Sequence, residues 1–134
     1  MKSPAFPLYL AAALGAALGG AGRFWMSGAA ARFFGETFPW GTLAVNVMGS
    51  ALLAFFVTLT APGGRFFAPA PVRVFAGIGV CGGFTTFSTF SLETLNLVRE
   101  GEMARAAGNV GANLVFCLAG AWLGFVLAAA INQR

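Results

Sequence analysis

Long apolar runs alternate with short polar links along the whole chain. Residues 3–22, 37–64, 74–92 and 106–133 contain no Asp, Glu, Lys or Arg. Each run reaches the roughly 18 uncharged, mostly apolar residues that mark a candidate transmembrane helix. Helices are expected because open sheets and loops cannot face lipid. The pattern predicts an all-α integral membrane protein, with spans at residues 8–27, 40–60, 72–97 and 105–131 in one domain, 1–134.

Composition supports the membrane prediction and excludes several other classes. Hydrophobic residues make up 58% of the 134-residue chain and charged residues 9%, against roughly 25% charged in soluble domains. The eight basic residues are scattered, which argues against a nucleic-acid partner. There is no His, and Cys81 and Cys117 lie in different spans, so neither a zinc site nor His-based enzyme chemistry is expected.

The first run has a competing interpretation as a cleaved signal peptide, because Lys2 precedes an apolar stretch. Its apolar part continues past about 15 residues, which favours a span. Small residues recur along it at helical spacing, as expected where transmembrane helices pack closely: Ala12, Gly15, Gly19 and Gly22.

Basic residues do not indicate which side of the membrane is cytoplasmic. The predicted links are residues 28–39, 61–71 and 98–104. One side holds Lys2, Arg65, Arg73 and Arg134, and the other holds Arg32, Arg99 and Arg105, with Arg23 near the end of the first span. Two explanations remain open: a weak bias, or a dual-topology chain that pairs antiparallel with itself.

The third span has the least regular sequence. Four glycines fall within residues 77–83 and six hydroxyl residues within 85–94. Gly82-Gly83 is unfavourable in a uniform helix, by roughly 1 kcal/mol per Gly. We therefore predict a break, which is tolerated at membrane depth where it lines a cavity or is buried. Freed carbonyls would suit Na⁺, and hydroxyls would suit an anion. Phe87 and Phe90 follow at i, i+3 and would present positive ring edges.

Polar residues inside the spans have two possible roles. Asn46 in the second span, and Asn109 and Asn113 in the fourth, either join helices by hydrogen bonds or line a polar path. Arg23 either snorkels to the interface or attracts anions in a vestibule. Glu93 either ends the hydroxyl track of the third span or pairs with Arg99 or an arginine of a partner.

Three segments resemble the Fluc (CrcB) fluoride channels: GAALGGAGR at 15–23, GTLAVNVMGS at 41–50 and GGFTTFSTFSLET at 82–94. The likeness runs in order through the first three spans and more loosely through the fourth. The string Gly-Gly-x-Thr-Thr-Phe-Ser-Thr-Phe-Ser is its most specific part.

The resemblance implies a dual-topology antiparallel homodimer in the bacterial inner membrane that exports fluoride passively and relieves its toxicity. It implies two pores per dimer and a structural Na⁺ at the dimer centre, bound by the backbone carbonyls of Gly82 and Thr85. By motif match, the implied pore residues of the first three spans are Asn46, Thr86, Phe87, Ser88, Thr89, Phe90 and Glu93, with Arg23 in the vestibule. In the fourth span, Asn109 and Asn113 occupy pore positions where the family has a tyrosine and a serine.

Two other functions stay under consideration. A four-span proton-coupled exporter would need a carboxylate deep in the first span, and residues 3–22 contain none. A packing or assembly subunit would gain nothing from a broken, hydroxyl-rich third span.

Overall fold

The structure, a computed structural model, describes residues 5–133, which form helices joined by short links and contain no strand. Lys2 and Arg134, two of the charges compared above, lie outside the described residues. The long helices are α1 (Phe6–Phe34), α2 (Trp40–Leu59) and α6 (Met103–Asn132). Between α2 and α6 lies an interrupted helix of α3 (Ala70–Arg73), a π-helical stretch (Val74–Cys81), α4 (Gly82–Phe84) and α5 (Phe87–Arg99).

Three segments of the described chain are long and apolar enough to cross a membrane: Trp40–Leu59, Ala70–Arg99 and Met103–Asn132. They correspond to the predicted second, third and fourth spans. The first predicted span lies in α1, whose 29 residues exceed the roughly 20 needed to cross the hydrocarbon core. Its glycines and Arg23 make it less apolar than the other three, so its crossing stays a prediction.

The predicted first link, residues 28–39, is wrong in its first half. The helix α1 continues to Phe34, and Gly35 follows with φ 76°, its N–H donating to the carbonyl of Ala31. A positive φ is readily adopted by Gly, so the helix ends one residue before it. Gly28, the first residue of the predicted link, therefore lies within a regular helix.

Small residues let α1 lie directly against the third helical segment. A Cβ on Gly19 would overlap the carbonyl of Val80, and a Cβ on Gly83 would lie 2.6 Å from the carbonyl oxygen of Ala16. Close approach through small residues is the usual means of packing helices in lipid, where apolar burial gives little driving force. The small-residue face predicted for the first span therefore serves helix packing.

The helix α6 packs on α2 along one stripe of its surface, which includes Gly120 and Gly124. A Cβ on Gly120 would lie 3.1 Å from the carbonyl oxygen of Val47, and one on Gly124 would overlap the carbonyl of Ala51. Asn109 and Asn113 belong to the same stripe and are buried, at 0% and 7% exposure. This contact aligns the α6 amides with the polar face of α2.

The third helical segment is broken, as predicted, but not at its paired glycines. Gly82 is helical, with φ −65° and ψ −39°, whereas Thr85 and Thr86 are extended, with ψ 158° and 110°. Of the two glycines, Gly83 permits contact with α1, and the chain leaves the helix two residues later. The prediction placed the cause in glycine's helix propensity, whereas the structure shows hydrogen bonds of Thr86 that a continuous helix would not allow.

Candidate functional site

Asn46 of α2 holds the break through both edges of its carboxamide. Its Oδ1 accepts a 2.8 Å hydrogen bond from the Thr86 N–H, and its Nδ2 donates to the Thr86 carbonyl at 3.2 Å. In a continuous helix that N–H would donate to the carbonyl of Gly82. The carboxamide therefore replaces a helical hydrogen bond and deprives the Gly82 carbonyl of its regular donor.

Glycine at position 49, one turn after Asn46, makes room for this arrangement. A Cβ on Gly49 would overlap the methyl group of Thr85 and lie 3.3 Å from the ring of Phe84. The Thr85 hydroxyl and N–H both donate to the carbonyl of Cys81, at 3.0 Å each. These contacts fix the last residues before the break.

Thr86 also begins α5 as its N-cap residue. Its Oγ1 accepts from the Thr89 N–H at 3.1 Å and lies 2.9 Å from Thr89 Oγ1 and 3.2 Å from Ser88 Oγ. A hydroxyl at this position satisfies one of the free N–H groups of a helix start. The remaining N–H groups and the helix dipole give this end a partial positive charge. The break thus places a carbonyl end and an N–H end beside each other.

Six of the predicted site residues border one groove of about 530 Å³. They are Asn46, Thr85, Thr86, Phe87, Phe90 and Asn113. The rings of Phe87 and Phe90 lie with centroids 5.3 Å apart and planes tilted by 49°. Phe87 is 78% exposed, so its ring projects from the chain into the open side of the groove.

Glu93 and Thr89 border a second cavity, of about 400 Å³, on the other side of the hydroxyl cluster. Thr42 also lines it, near the Glu93 carboxyl, and Glu36 and Glu100 lie at its edge. Glu93 Oε2 is buried and has no hydrogen-bond partner among the described residues. The suggested pairing of Glu93 with Arg99 does not form. The ion pair seen within residues 5–133 joins Arg105 and Glu102, at 3.3 Å.

The remaining predicted residues lie apart from these two cavities. Gly82 borders a third cavity, of about 610 Å³, with Leu53, Phe56 and Arg73. Arg23 is half-buried on α1, next to Gly22, where an added Cβ would lie 3.5 Å from the ring of Phe84. It forms no hydrogen bond or ion pair with the residues described, and it borders none of the three cavities. Ser88 is exposed and reaches the site through Thr86.

Asn113 and Asn109 form a buried continuation of the Asn46 contact. Asn46 Nδ2 donates to Asn113 Oδ1 at 3.0 Å, Asn113 Nδ2 donates to Asn109 Oδ1 at 3.0 Å, and Asn109 Nδ2 donates to Thr94 Oγ1 at 2.9 Å. The sequence prediction missed Thr94, although it lies within the counted hydroxyl run. The 15-residue separation of Thr94 and Asn109 in the sequence does not indicate a contact, because the two residues meet only through the packing of α5 on α6.

Comparison with known proteins places the chain in a family. Residues 10–125 match the family model described as CrcB-like protein, Camphor Resistance (CrcB). A protein of Methylocella silvestris named fluoride-specific ion channel FluC is 57% identical over 93% of this chain and 95% of its own length. Proteins of the same name from Opitutus terrae and Rhodospirillum rubrum are 58% and 53% identical, over 94% and 93% of this chain and 96% and 97% of their own lengths. The chain therefore belongs to the CrcB family.

Proposed function

We propose that this protein is a fluoride-selective ion channel, not an enzyme, that lets fluoride leave the cell passively and so limits its toxicity. The observation that carries the proposal is the break at Thr85–Thr86, where Asn46, a helix N-terminus, hydroxyl groups and a phenylalanine pair meet beside one groove. The names of the related proteins support fluoride as the ion.

The start of α5 supplies the groups that a small anion needs when it loses water. The N–H groups of its first turn are directed toward the break, and the hydroxyls of Thr86, Ser88 and Thr89 cluster around them. Preorganised N–H and O–H donors stabilise an anion in a site with little water. Fluoride is small and accepts strong hydrogen bonds, so it gains more from closely spaced donors than chloride does.

The phenylalanine pair provides the less polar part of the proposed path. An aromatic ring is electropositive at its edge, and the tilted rings of Phe87 and Phe90 border the groove that Asn46 also lines. Ring edges can replace part of the hydration shell of an anion without a fixed positive charge. An anion held in this way is released more readily than one bound by an arginine, which favours conduction.

The hydroxyl cluster joins the groove to the second cavity. Thr86 borders the groove and Thr89 borders the second cavity, and their Oγ1 atoms are 2.9 Å apart. Rotating these hydroxyls would pass an anion from one cavity to the other. In this proposal Glu93, whose Oε2 is buried without a partner among residues 5–133, limits anion occupancy at the far end.

The other end of the break suits a structural Na⁺. The Gly82 carbonyl has lost its helical donor to Asn46, and the carbonyl of Thr85 follows in extended backbone. Hard cations prefer such oxygen ligands. A Na⁺ bound there would supply a fixed positive charge at the break. Gly82 and Thr85 are the residues that we propose to hold it.

An antiparallel homodimer in the bacterial inner membrane completes the proposal. In a single chain the groove is open and Phe87 is 78% exposed. The near-equal basic charge on the two sides of the four proposed spans is compatible with insertion in both directions. A second copy in the lipid bilayer would cover the groove and enclose a path on each side. Arg23 remains the proposed vestibule residue, one residue after Gly22, which faces the ring of Phe84.

Efflux from liposomes that contain the purified protein tests the channel proposal directly. We expect fast fluoride efflux, little chloride efflux, and loss of fluoride efflux in Asn46→Asp. That substitution keeps an acceptor for the Thr86 N–H but replaces Nδ2 with an anionic oxygen facing the carbonyl of Thr86 and the Oδ1 of Asn113. A folded protein that releases neither ion would contradict the proposal.

A further inference from the structure

The amides that lie behind Asn46 form a single directed chain. Asn46 donates to Asn113, Asn113 to Asn109, and Asn109 to Thr94, each time from Nδ2 to an oxygen. The Thr94 hydroxyl then donates to the carbonyl of Phe90 at 2.7 Å. The chain starts at the break and ends one turn into α5. It therefore joins Asn46 and Phe90, two proposed pore residues, through residues on a different helix.

The direction of this chain is set by one backbone group. A backbone N–H can only donate, so the Thr86 N–H requires the oxygen of Asn46 to face it. The nitrogen of Asn46 then faces Asn113, which must present its oxygen and turn its own nitrogen to Asn109. The same logic orients Asn109 toward Thr94. If any one amide were turned over, two donors or two acceptors would face each other and a hydrogen bond would be lost.

Burial makes each of these orientations costly to reverse. Asn109 is fully buried, so water cannot replace a partner that it loses, and Asn113 is only 7% exposed. Asn113 Nδ2 also donates to the backbone carbonyl of Asn109 at 3.0 Å, which anchors it to α6. An unpaired buried donor or acceptor costs roughly 1–3 kcal/mol. The α6 amides are therefore a rigid support for the Asn46 carboxamide.

We propose that Asn113 and Asn109 are positioning residues that hold Asn46 in the orientation needed for conduction, and that they act in series. This inference rests on the proposed function, since conduction is the activity that they would support. Simple helix-joining hydrogen bonds would act independently of the break. In a series arrangement, Asn109 influences the orientation of the Asn46 carboxamide only through Asn113.

A double-mutant cycle tests the series arrangement. We expect Asn113→Leu and Asn109→Leu each to lower fluoride efflux about tenfold, the effect of leaving one buried amide group unpaired, and the double variant to match Asn113→Leu. Independent residues would give multiplied losses. Asn113→Ser retains a hydroxyl acceptor and should recover part of the efflux. Equal losses for the Ser and Leu variants would count against a positioning role.

A spectroscopic measurement separates positioning from simple stabilisation. In protein labelled with ¹⁵N-asparagine, the side-chain signals of Asn46 are identified by their absence in Asn46→Asp. We expect Asn109→Leu to shift them, although Asn109 forms no hydrogen bond with Asn46 among the described contacts. Unchanged signals would overturn the inference.

Asn132→Leu is the matched control, because it removes an amide that links α6 to the carbonyl of Thr58 and the N–H of Arg65, away from the break. It should leave both efflux and the Asn46 signals unchanged, and a shift in those signals would show that the probe lacks specificity and count against the inference.

If the wild-type protein does not conduct fluoride, the proposed function fails, while the Asn46 signals still test the positioning. If it conducts but Asn109→Leu changes neither readout, the positioning inference alone fails.

Discussion

Asn46 and Thr86 are paired edge to edge, with the side-chain carboxamide of one bound to both the N–H and the carbonyl of the other. A carboxamide has the same donor and acceptor geometry as a peptide group, so it can stand in for a neighbouring turn of helix. The pairing explains how two extended residues persist inside an apolar helix. It also makes the break depend on a residue 40 positions earlier in the chain.

Gly49→Ala should destabilise the break. The added methyl group would overlap Thr85, which is fixed by two hydrogen bonds to the carbonyl of Cys81. Overpacking of this kind costs roughly 1–3 kcal/mol. We expect a lower thermal midpoint in detergent and slower fluoride efflux. Gly20→Ala is the control, since a Cβ there meets nothing within 4 Å. Equal stability of the two variants would contradict the proposed packing constraint.

Thr86→Val should weaken the start of α5 while preserving side-chain shape. The substitution removes the N-cap acceptor of the Thr89 N–H and the contact with the Thr89 hydroxyl. Loss of an N-cap costs roughly 0.5–2 kcal/mol. The fall in fluoride efflux should exceed the loss expected from the lower stability alone, because the Thr86 hydroxyl also lies between the two cavities. Thr60→Val, which removes a hydroxyl bonded to the Phe56 carbonyl, should retain wild-type efflux.

Replacing both Phe87 and Phe90 with Ile should abolish fluoride efflux, because it removes the aromatic ring edges and keeps apolar bulk. The ring centroids lie 5.3 Å apart beside the groove, and neither ring belongs to the buried core of the described residues. Gel filtration should show an unchanged assembly. Phe24→Ile, at a ring that is 84% exposed on α1, serves as the control. Normal efflux from the double variant would contradict the role proposed for the two rings in the fluoride path.

Cys117 should make fluoride efflux sensitive to Ag⁺. Its side chain borders the groove close to Ser50, whereas Cys81 is buried and borders neither the groove nor the second cavity. A metal ion bound to a thiol in the groove would obstruct the proposed path. We expect Cys117→Ser to abolish Ag⁺ inhibition and Cys81→Ser to leave it intact. Inhibition that survives Cys117→Ser would place the path elsewhere.

The sequence predicted those features that depend on composition along a single helix. Apolar runs located the second, third and fourth spans, and recurrent small residues located the face of α1 that contacts the third helical segment. The resemblance to a family also selected Asn46, which the structure places at the break.

Features that depend on contacts between helices could not be predicted from the sequence. The break falls at Thr85–Thr86 instead of Gly82-Gly83, because a distant amide competes for the Thr86 N–H. The partnership of Asn109 with Thr94 needs the relative rotation of α5 and α6. Helical periodicity is a one-dimensional signal, so it does not encode that rotation.

The π-helical stretch Val74–Cys81 constrains the number of residues in this part of the chain. Successive residues of an α-helix are rotated by about 100°, and a wider turn holds the residues before it at a different rotation from those after it. Removing one residue there would restore the α-helical phase. It would also swing Gly79 away from its close contact with Gly15 and Ala12. Insertions and deletions in this stretch should therefore be tolerated far less than substitutions, and relatives should keep its residue count even where its side chains differ.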